Sequence, residues 1–361
     1  MPFWIELITG LLSFVIAAIG GKMLIPFLHK LKFGQPIKVE FGPKWHEGKQ
    51  GTPTMGGIMF IISAVVSVAV GYVLYRMFAA PKAADTAAMT DSAMRLLSCV
   101  LFCMLFGVMG FIDDFTKVVR KDNDGGLTPW QKIAIQVVIS AGWLFAMRFF
   151  GDTNTTLDLV FAEFDLGWFY YPLMIVVILY LTNAVNLTDG IDGLCGTVTM
   201  VNMLLYTVIF HMLGSSEMSV FTMAVAGGCL GFLVWNLHPA KCFMGDTGSL
   251  TIGGIIAVGA IIIHKELMLP ILCGIFFVES LSVIVQVYYY KLGKRKGIKQ
   301  RIFKRTPIHD NFRTQDSQLD PECKYLIKKP HGAIHESKIT IRFWIITIIL
   351  AALTIITLKI R

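Results

Sequence analysis

Apolar runs close to the length of a membrane crossing recur along the whole chain, and no other feature restricts its fold as strongly. A helix rises about 1.5 Å per residue, so roughly 20 apolar residues cover a hydrocarbon core about 30 Å thick. Read between charged or Gly/Pro-rich breaks, the runs predict ten spans: 5–28, 56–78, 94–112, 130–150, 170–187, 191–212, 218–237, 249–264, 268–291 and 341–358. Composition agrees. Of 361 residues, 55% are hydrophobic and 16% charged, with a mean hydropathy of +0.65, a balance that the water-facing surface of a soluble protein excludes. The first run is not expected to be a cleaved leader, because no basic stretch precedes it and Glu6 lies near its start. The expected fold class is an all-α polytopic membrane protein, with residues 1–361 forming one membrane domain.

Lysine and arginine orient it. The loop after the first run holds Lys30, Lys32, Lys38, Lys44 and Lys49, and the loop after the third holds Lys117, Arg120 and Lys121. After the ninth comes a strongly basic loop, from Lys291 to Arg305. The segment after the fourth run instead has Asp152, Asp158, Glu163 and Asp165, with no lysine or arginine. Basic loops face the cytoplasm, so loops after odd-numbered spans are expected inside and both termini outside. Residues 152–168 alternate in places and predict a short outer β-hairpin. Residues 314–337, polar and containing Pro321 and Pro330, predict an exposed cytoplasmic insertion. Five of the seven cysteines fall within or beside apolar runs. Cys242 and Cys323 fall in loops, and no CxxC spacing suggests zinc or a disulfide framework.

Acidic residues are scarce, so their positions are informative. Asp113 and Asp114 end the third run. Asp189 and Asp192 lie in Asn186-Leu-Thr-Asp189-Gly-Ile-Asp192-Gly193, the tight link between the fifth and sixth runs. Asp246 lies in Phe243-Met-Gly245-Asp246-Thr-Gly248-Ser249, before the eighth. The orientation puts all five on the cytoplasmic face, at helix ends with unpaired backbone groups. One juxtamembrane acid is often only a solvated loop end. Five together need a cation, since a carboxylate in the core costs roughly 2.5–3.5 kcal/mol on the insertion scale. Carboxylates with phosphate oxygens are the usual magnesium ligands, and glycine beside Asp189, Asp192 and Asp246 would let backbone approach a phosphate. Lys49, Lys117 and Lys132 could form a phosphate cradle or could simply set topology. His309, in Thr306-Pro307-Ile308-His309, reads alone as an ordinary loop histidine.

At these motifs the chain resembles the phospho-N-acetylmuramoyl-pentapeptide transferase family, within the superfamily of polyprenyl-phosphate N-acetylhexosamine-1-phosphate transferases. The matching segments are Gly51–Gly57, Phe111–Asp114, Asn183–Gly193, Trp235–Ser249, Arg301–His309 and Arg342-Phe343-Trp344. The resemblance implies UDP-N-acetylmuramoyl-pentapeptide and undecaprenyl phosphate as substrates, UMP as the product released, and Mg2+ as cofactor. It implies a multi-pass protein of the bacterial plasma membrane with its active site on the cytoplasmic face. Asp246 matches a magnesium ligand, and Asp113 and Asp114 match an acidic pair holding the lipid phosphate or the metal. Asn186, Asp189 and Asp192 match a nucleotide-pocket motif. Lys49, Thr54, Lys117, Lys132, Asn236, Phe243 and Gln286 are implied as further substrate contacts, with Phe243 able to stack on uracil. His309 is implied as catalytic. The family usually shows three consecutive histidines where this chain has His309-Asp310-Asn311, and it reaches Arg-Phe-Trp sooner. The insertion is therefore expected to be surface-exposed and removable.

Other readings are weighed against this one. A sister transferase acting on another N-acetylhexosamine nucleotide would share the acids. A secondary transporter would hold its ionisable groups near the midplane at broken helices, not at one face. A structural scaffold in a wall-synthesis complex would leave the clustered acids unexplained. Membrane lipid is an expected partner, a homodimer is compatible with the sequence, and nucleic acid is not expected.

Overall fold

The computed structural model describes residues 1–31, 51–79, 86–120, 125–159 and 162–359. Lys49 lies outside them. Among the described residues, ten helices are long and apolar enough to cross a membrane, and they follow the order of the ten apolar runs. They are α1 (Phe3–Lys30), α2 (Gly57–Phe78), α3 (Thr86–Arg120), α4 (Pro129–Phe149) and α5 (Tyr170–Thr188). After these come α6 (Leu194–Met212), α7 (Ser216–Asn236) and α8 (Gly245–Ile262). A broken ninth crossing consists of α9 (Leu269–Leu272) and α10 (Gly274–Arg295), and α12 (Glu336–Lys359) is the last. A short helix, α11 (Ile308–Arg313), lies between α10 and α12.

Burial sorts these helices into a centre and a rim. α7 and α8 are 78% and 83% buried over their most apolar stretches, against 22% for α1 and 28% for α12. α8 can sit at the centre because its sequence is rich in small residues. Lipid tails give helices no hydrophobic drive to associate, so close backbone approach must hold them. A methyl group added at Gly253 would lie 2.4 Å from Thr182 Cα of α5, and one at Gly57 would lie 2.4 Å from Gly248 Cα. The rim helices turn leucine, isoleucine and phenylalanine outward, such as Leu11, Ile19 and Phe27 on α1.

Four boundaries differ from the expectation, each for a physical reason. α3 runs on to Arg120, past the expected end at 112, because Asp113 pairs with Lys117 one turn later and Lys117 and Arg120 suit the negative end of the helix dipole. α8 starts at Gly245 rather than 249, because a carboxylate from α3 caps it. The ninth crossing breaks at Cys273, and the short α9 before it contains Pro270 in its first turn. α12 begins at Glu336, so the end of the expected insertion belongs to the last span.

The expected outer hairpin is present. β1 (Thr156–Leu159) pairs antiparallel with β2 (Ala162–Asp165), with Thr156 opposite Asp165. The segment after α10 is more ordered than a removable loop. β3 (Gln300–Phe303) pairs in parallel with β4 (Lys324–Ile327), which lies inside the expected insertion. Lys304 is fully buried there. Its Nζ donates to the carbonyls of Thr314 (2.7 Å) and Pro330 (2.6 Å) and reaches Asp316 at 3.2 Å.

Candidate active site

Three aspartates and two lysines from α3, α4 and α8 converge at one end of the bundle. Asp113 and Asp114 stand on consecutive positions of α3, so they leave the helix about 100° apart and take different partners. Asp113 is buried. Its Oδ1 accepts from the Leu127 amide at 2.7 Å, and its Oδ2 meets Lys117 at 2.6 Å and Lys132 at 2.8 Å. Asp114 turns to α8, where Oδ1 accepts from the Asp246 amide (3.2 Å) and Oδ2 from the amide and hydroxyl of Thr247 (2.9 and 2.8 Å). Met244, the residue before α8, offers no side-chain cap. Asp114 takes that role from another helix, satisfying orphan amides at the positive end of the dipole.

Asp246 completes the centre. Its Oδ2 meets Lys132 at 2.7 Å and Lys117 at 3.2 Å, and its Oδ1 accepts from Asn186 Nδ2 at 2.8 Å. Lys132 is aimed by local sequence: Thr128 and Gln131 form a capping box around Pro129, placing Lys132 in the first turn of α4. Among the three aspartates Asp246 is the most open, with a side chain 15% exposed against 0% for Asp113. One oxygen from each of the three lies within 4.8 Å of the others. Hard carboxylate oxygens at that spacing suit a magnesium-type cation, and three negative charges against two ammonium groups leave room for further positive charge.

The link Asp189–Gly193 lies beside this centre. Burial, with Asp246 and Asp114 nearby, pushes the Asp189 carboxyl up to about 7, against the pull of a backbone hydrogen bond from Gly245 and of His309. His309 packs on this link: a methyl group at Gly190 would lie 2.3 Å from its Nε2. Its Nδ1 lies 3.1 Å from Glu279 Oε2, which also accepts from its backbone amide at 3.4 Å. Glu279 was not singled out from the sequence. It is fully buried in α10, and a lone acid inside an apolar run was signal enough to find it.

The remaining expected residues divide into two kinds. Thr54 is buried beside Gly245, and its hydroxyl has no hydrogen-bond partner among the described residues. Phe243 exchanges backbone hydrogen bonds with Pro53 and Gly56, both 2.8 Å. Asn236 and Gln286 spend their amides on the scaffold. Asn236 ties the Gly193 amide to the Cys242 carbonyl, and Gln286 holds Ile302 and Phe303 of β3. Asp192 receives His238 Nδ1 (3.0 Å) and the Ala240 amide (3.1 Å), close to Glu336 at the start of α12. Cys242 and Cys323 lie in loops, as expected, but both are buried.

The fold and the centre together define a class: a multi-pass helical membrane protein with a carboxylate–ammonium cluster, suited to phosphate chemistry, at the ends of its spans. Sequence comparison narrows the class. Residues 96–264 match the model of glycosyl transferase family 4, and residues 49–61 match signature 1 of phospho-N-acetylmuramoyl-pentapeptide-transferase. The enzyme of that name from Phocaeicola vulgatus is 39% identical over 413 aligned residues, covering 99% of this chain and 94% of its own length. The Halalkalibacterium halodurans enzyme is 44% identical over 308, covering 85% and 88%. This chain belongs to the phospho-N-acetylmuramoyl-pentapeptide transferase family.

Proposed function

We propose that the protein moves phospho-N-acetylmuramoyl-pentapeptide from its UDP-linked form onto undecaprenyl phosphate, releasing UMP, with Mg2+ and at the cytoplasmic face of a bacterial plasma membrane. The observation that supports this most directly is the Asp113–Asp114–Asp246 cluster bound to Lys117 and Lys132 at the ends of spanning helices. There a lipid phosphate in the bilayer can meet a soluble nucleotide. Asp246, with Asp113 or Asp114, would hold the divalent ion, which would neutralise charge on the diphosphate.

The chain's own groups favour a one-step displacement. An oxygen of the lipid phosphate attacks the sugar-linked phosphorus, and the bond from that phosphorus to the UMP oxygen breaks. With a second pKa near 6, a phosphate monoester is already largely ionised at pH 7 and needs little help from a base. A covalent route would need a free carboxylate nucleophile. Both oxygens of Asp113 and of Asp114 already accept hydrogen bonds. Lys117 and Lys132 pair with Asp113 and Asp246 and offer ammonium groups to phosphate. Phe243 is the candidate to stack on uracil, and His309 stands at the link bearing Asp189.

The deciding measurement is UMP release by the purified protein. It should require both polyprenyl phosphate and magnesium, and it should prefer the muramoyl-pentapeptide nucleotide to UDP-N-acetylglucosamine. Release without the lipid would point to a covalent intermediate, and preference for the simpler nucleotide would point to a sister transferase. Asp246→Asn should keep the fold and lose well over tenfold in turnover, more than about 1.4 kcal/mol. Retention of a tenth or more at saturating magnesium would shift the metal to Asp113 or Asp114.

A further inference from the structure

β4 reads Lys324-Tyr325-Leu326-Ile327 and continues into Lys328-Lys329. Two of its apolar side chains are exposed, Leu326 at 66% and Ile327 at 43%, one on each face of the two-stranded ribbon. Adjacent large aliphatic groups exposed beside lysines form a candidate contact surface.

The height of the ribbon identifies what that surface meets. Gln286 of α10 binds Ile302 and Phe303 of β3, and Phe303 is opposite Ile327 in β4. Ile327 is therefore level with the middle of α10, more than two turns before the helix ends at Arg295. At that level α10 exposes Ile284, Val285, Val287 and Tyr288, an apolar face of the kind that a spanning helix presents to lipid. β4 reaches that level at the outer edge of the ribbon, with β3 between it and α10.

Charge completes the match. Lys324, Lys328 and Lys329 flank the pair, and four more cations lie between Lys291 and Lys296 at the end of α10. None of these has an ion-pair partner among the described residues, whereas Lys299 is taken by Glu322 at 2.5 Å. Apolar burial combined with electrostatic attraction to anionic lipid is how interfacial elements hold a membrane surface.

We propose that β4 is a membrane foot. Leu326 and Ile327 enter the headgroup–acyl boundary of the leaflet on the basic side, and the neighbouring lysines bind phosphates of anionic phospholipid. The foot is joined to the active site. Asn311 donates to the Lys329 carbonyl at 3.1 Å and Lys304 to the Pro330 carbonyl, which ties the end of β4 to the helix bearing His309.

The test places a nitroxide at Leu326→Cys and, separately, at Ile327→Cys, with Ser317→Cys as an exposed control in the same segment. All seven native cysteines are buried and compete little for the label. The full-length protein is placed in nanodiscs of phosphatidylcholine with or without phosphatidylglycerol, and accessibility to oxygen and to a water-soluble nickel chelate is read by power saturation. Labels at 326 and 327 should favour oxygen, the label at 317 should favour nickel, and phosphatidylglycerol should move the first two deeper. Nickel accessibility at 326 and 327 equal to that at 317 would overturn the foot, and would leave a protein strand on the open edge of β4 as the occupant. Equal depth in the two lipids would overturn the role given to the lysines.

Discussion

Glu279 is a fully buried carboxylate whose Oε2 meets both the ring and the backbone amide of His309, while its Oε1 has no hydrogen-bond partner among the described residues. A carboxylate behind an imidazole fixes the tautomer and the ring orientation. Glu279→Gln should therefore lower turnover on the order of 10- to 100-fold, as loss of an orienting carboxylate does around metal-bound histidines. His309→Ala should lower it further, and the double variant should fall no lower than His309→Ala alone. Full additivity in the double variant would separate the two residues. Asp189 supports a pH prediction. Its carboxyl is raised from 3.8 to about 7, first by burial and then by Asp246 and Asp114. Between those values the folded protein holds a proton that the unfolded chain has released, so the stability due to this group falls as pH rises through that window. Asp189→Asn should flatten the fall of the melting temperature between about pH 4 and pH 7, and an unchanged slope would assign the fall to other groups. The sequence brought Asp113, Asp114, Lys117, Lys132 and Asp246 together by type and by face. It gave no sign that the amides of Asn236 and Gln286 would be used on neighbouring loops, because those partners lie in other elements.

α8 depends on its neighbours more than any other helix. It begins where Asp114 supplies the cap, and α3 approaches so closely that a methyl group at Gly110 would lie 2.3 Å from the Asp246 carbonyl oxygen. Backbone cannot yield there as a flexible side chain would. Gly110→Ala should cost about 1–3 kcal/mol by overpacking and should reduce turnover as well, because it pushes the Asp246 turn out of place. Gly142→Ala on α4, where a methyl group meets nothing within 4 Å, should leave the activity unchanged and should not lower the melting temperature. Loss of stability in Gly110→Ala with full turnover would mean that the Asp246 turn is not fixed by this contact. The apolar run announced α8 but misplaced its start by four residues, since hydropathy cannot register a cap that arrives from 133 positions earlier in the chain.

At the scale of the molecule, the segment following α11 is part of the folded structure and not an appendage. Removing residues 314–335 would take away the Thr314 and Pro330 carbonyls and Asp316 from the buried Lys304 ammonium, and would leave β3 unpaired. An uncompensated buried charge costs about 3–5 kcal/mol. The deletion should therefore lower the melting temperature sharply, and Lys304→Met within it should restore part of the loss. A deletion that melts like the full chain would return the segment to a dispensable loop.

What the sequence determined by itself is the membrane class, the number and order of the spans, the short hairpin after the fourth span and the chemical type of the centre. These follow from features local in the chain: runs of about 20 apolar residues, the placement of lysine and arginine, and acids set beside glycine. Only the tertiary structure decided which partner each group meets. It assigned Asp114 to the start of α8, Asp113 and Asp246 to the same two lysines, Glu279 to His309, and Lys304 to the segment it holds. Each of these contacts joins elements far apart in the chain or depends on a buried group losing water. Helix packing sets both, and periodicity along the chain does not record it.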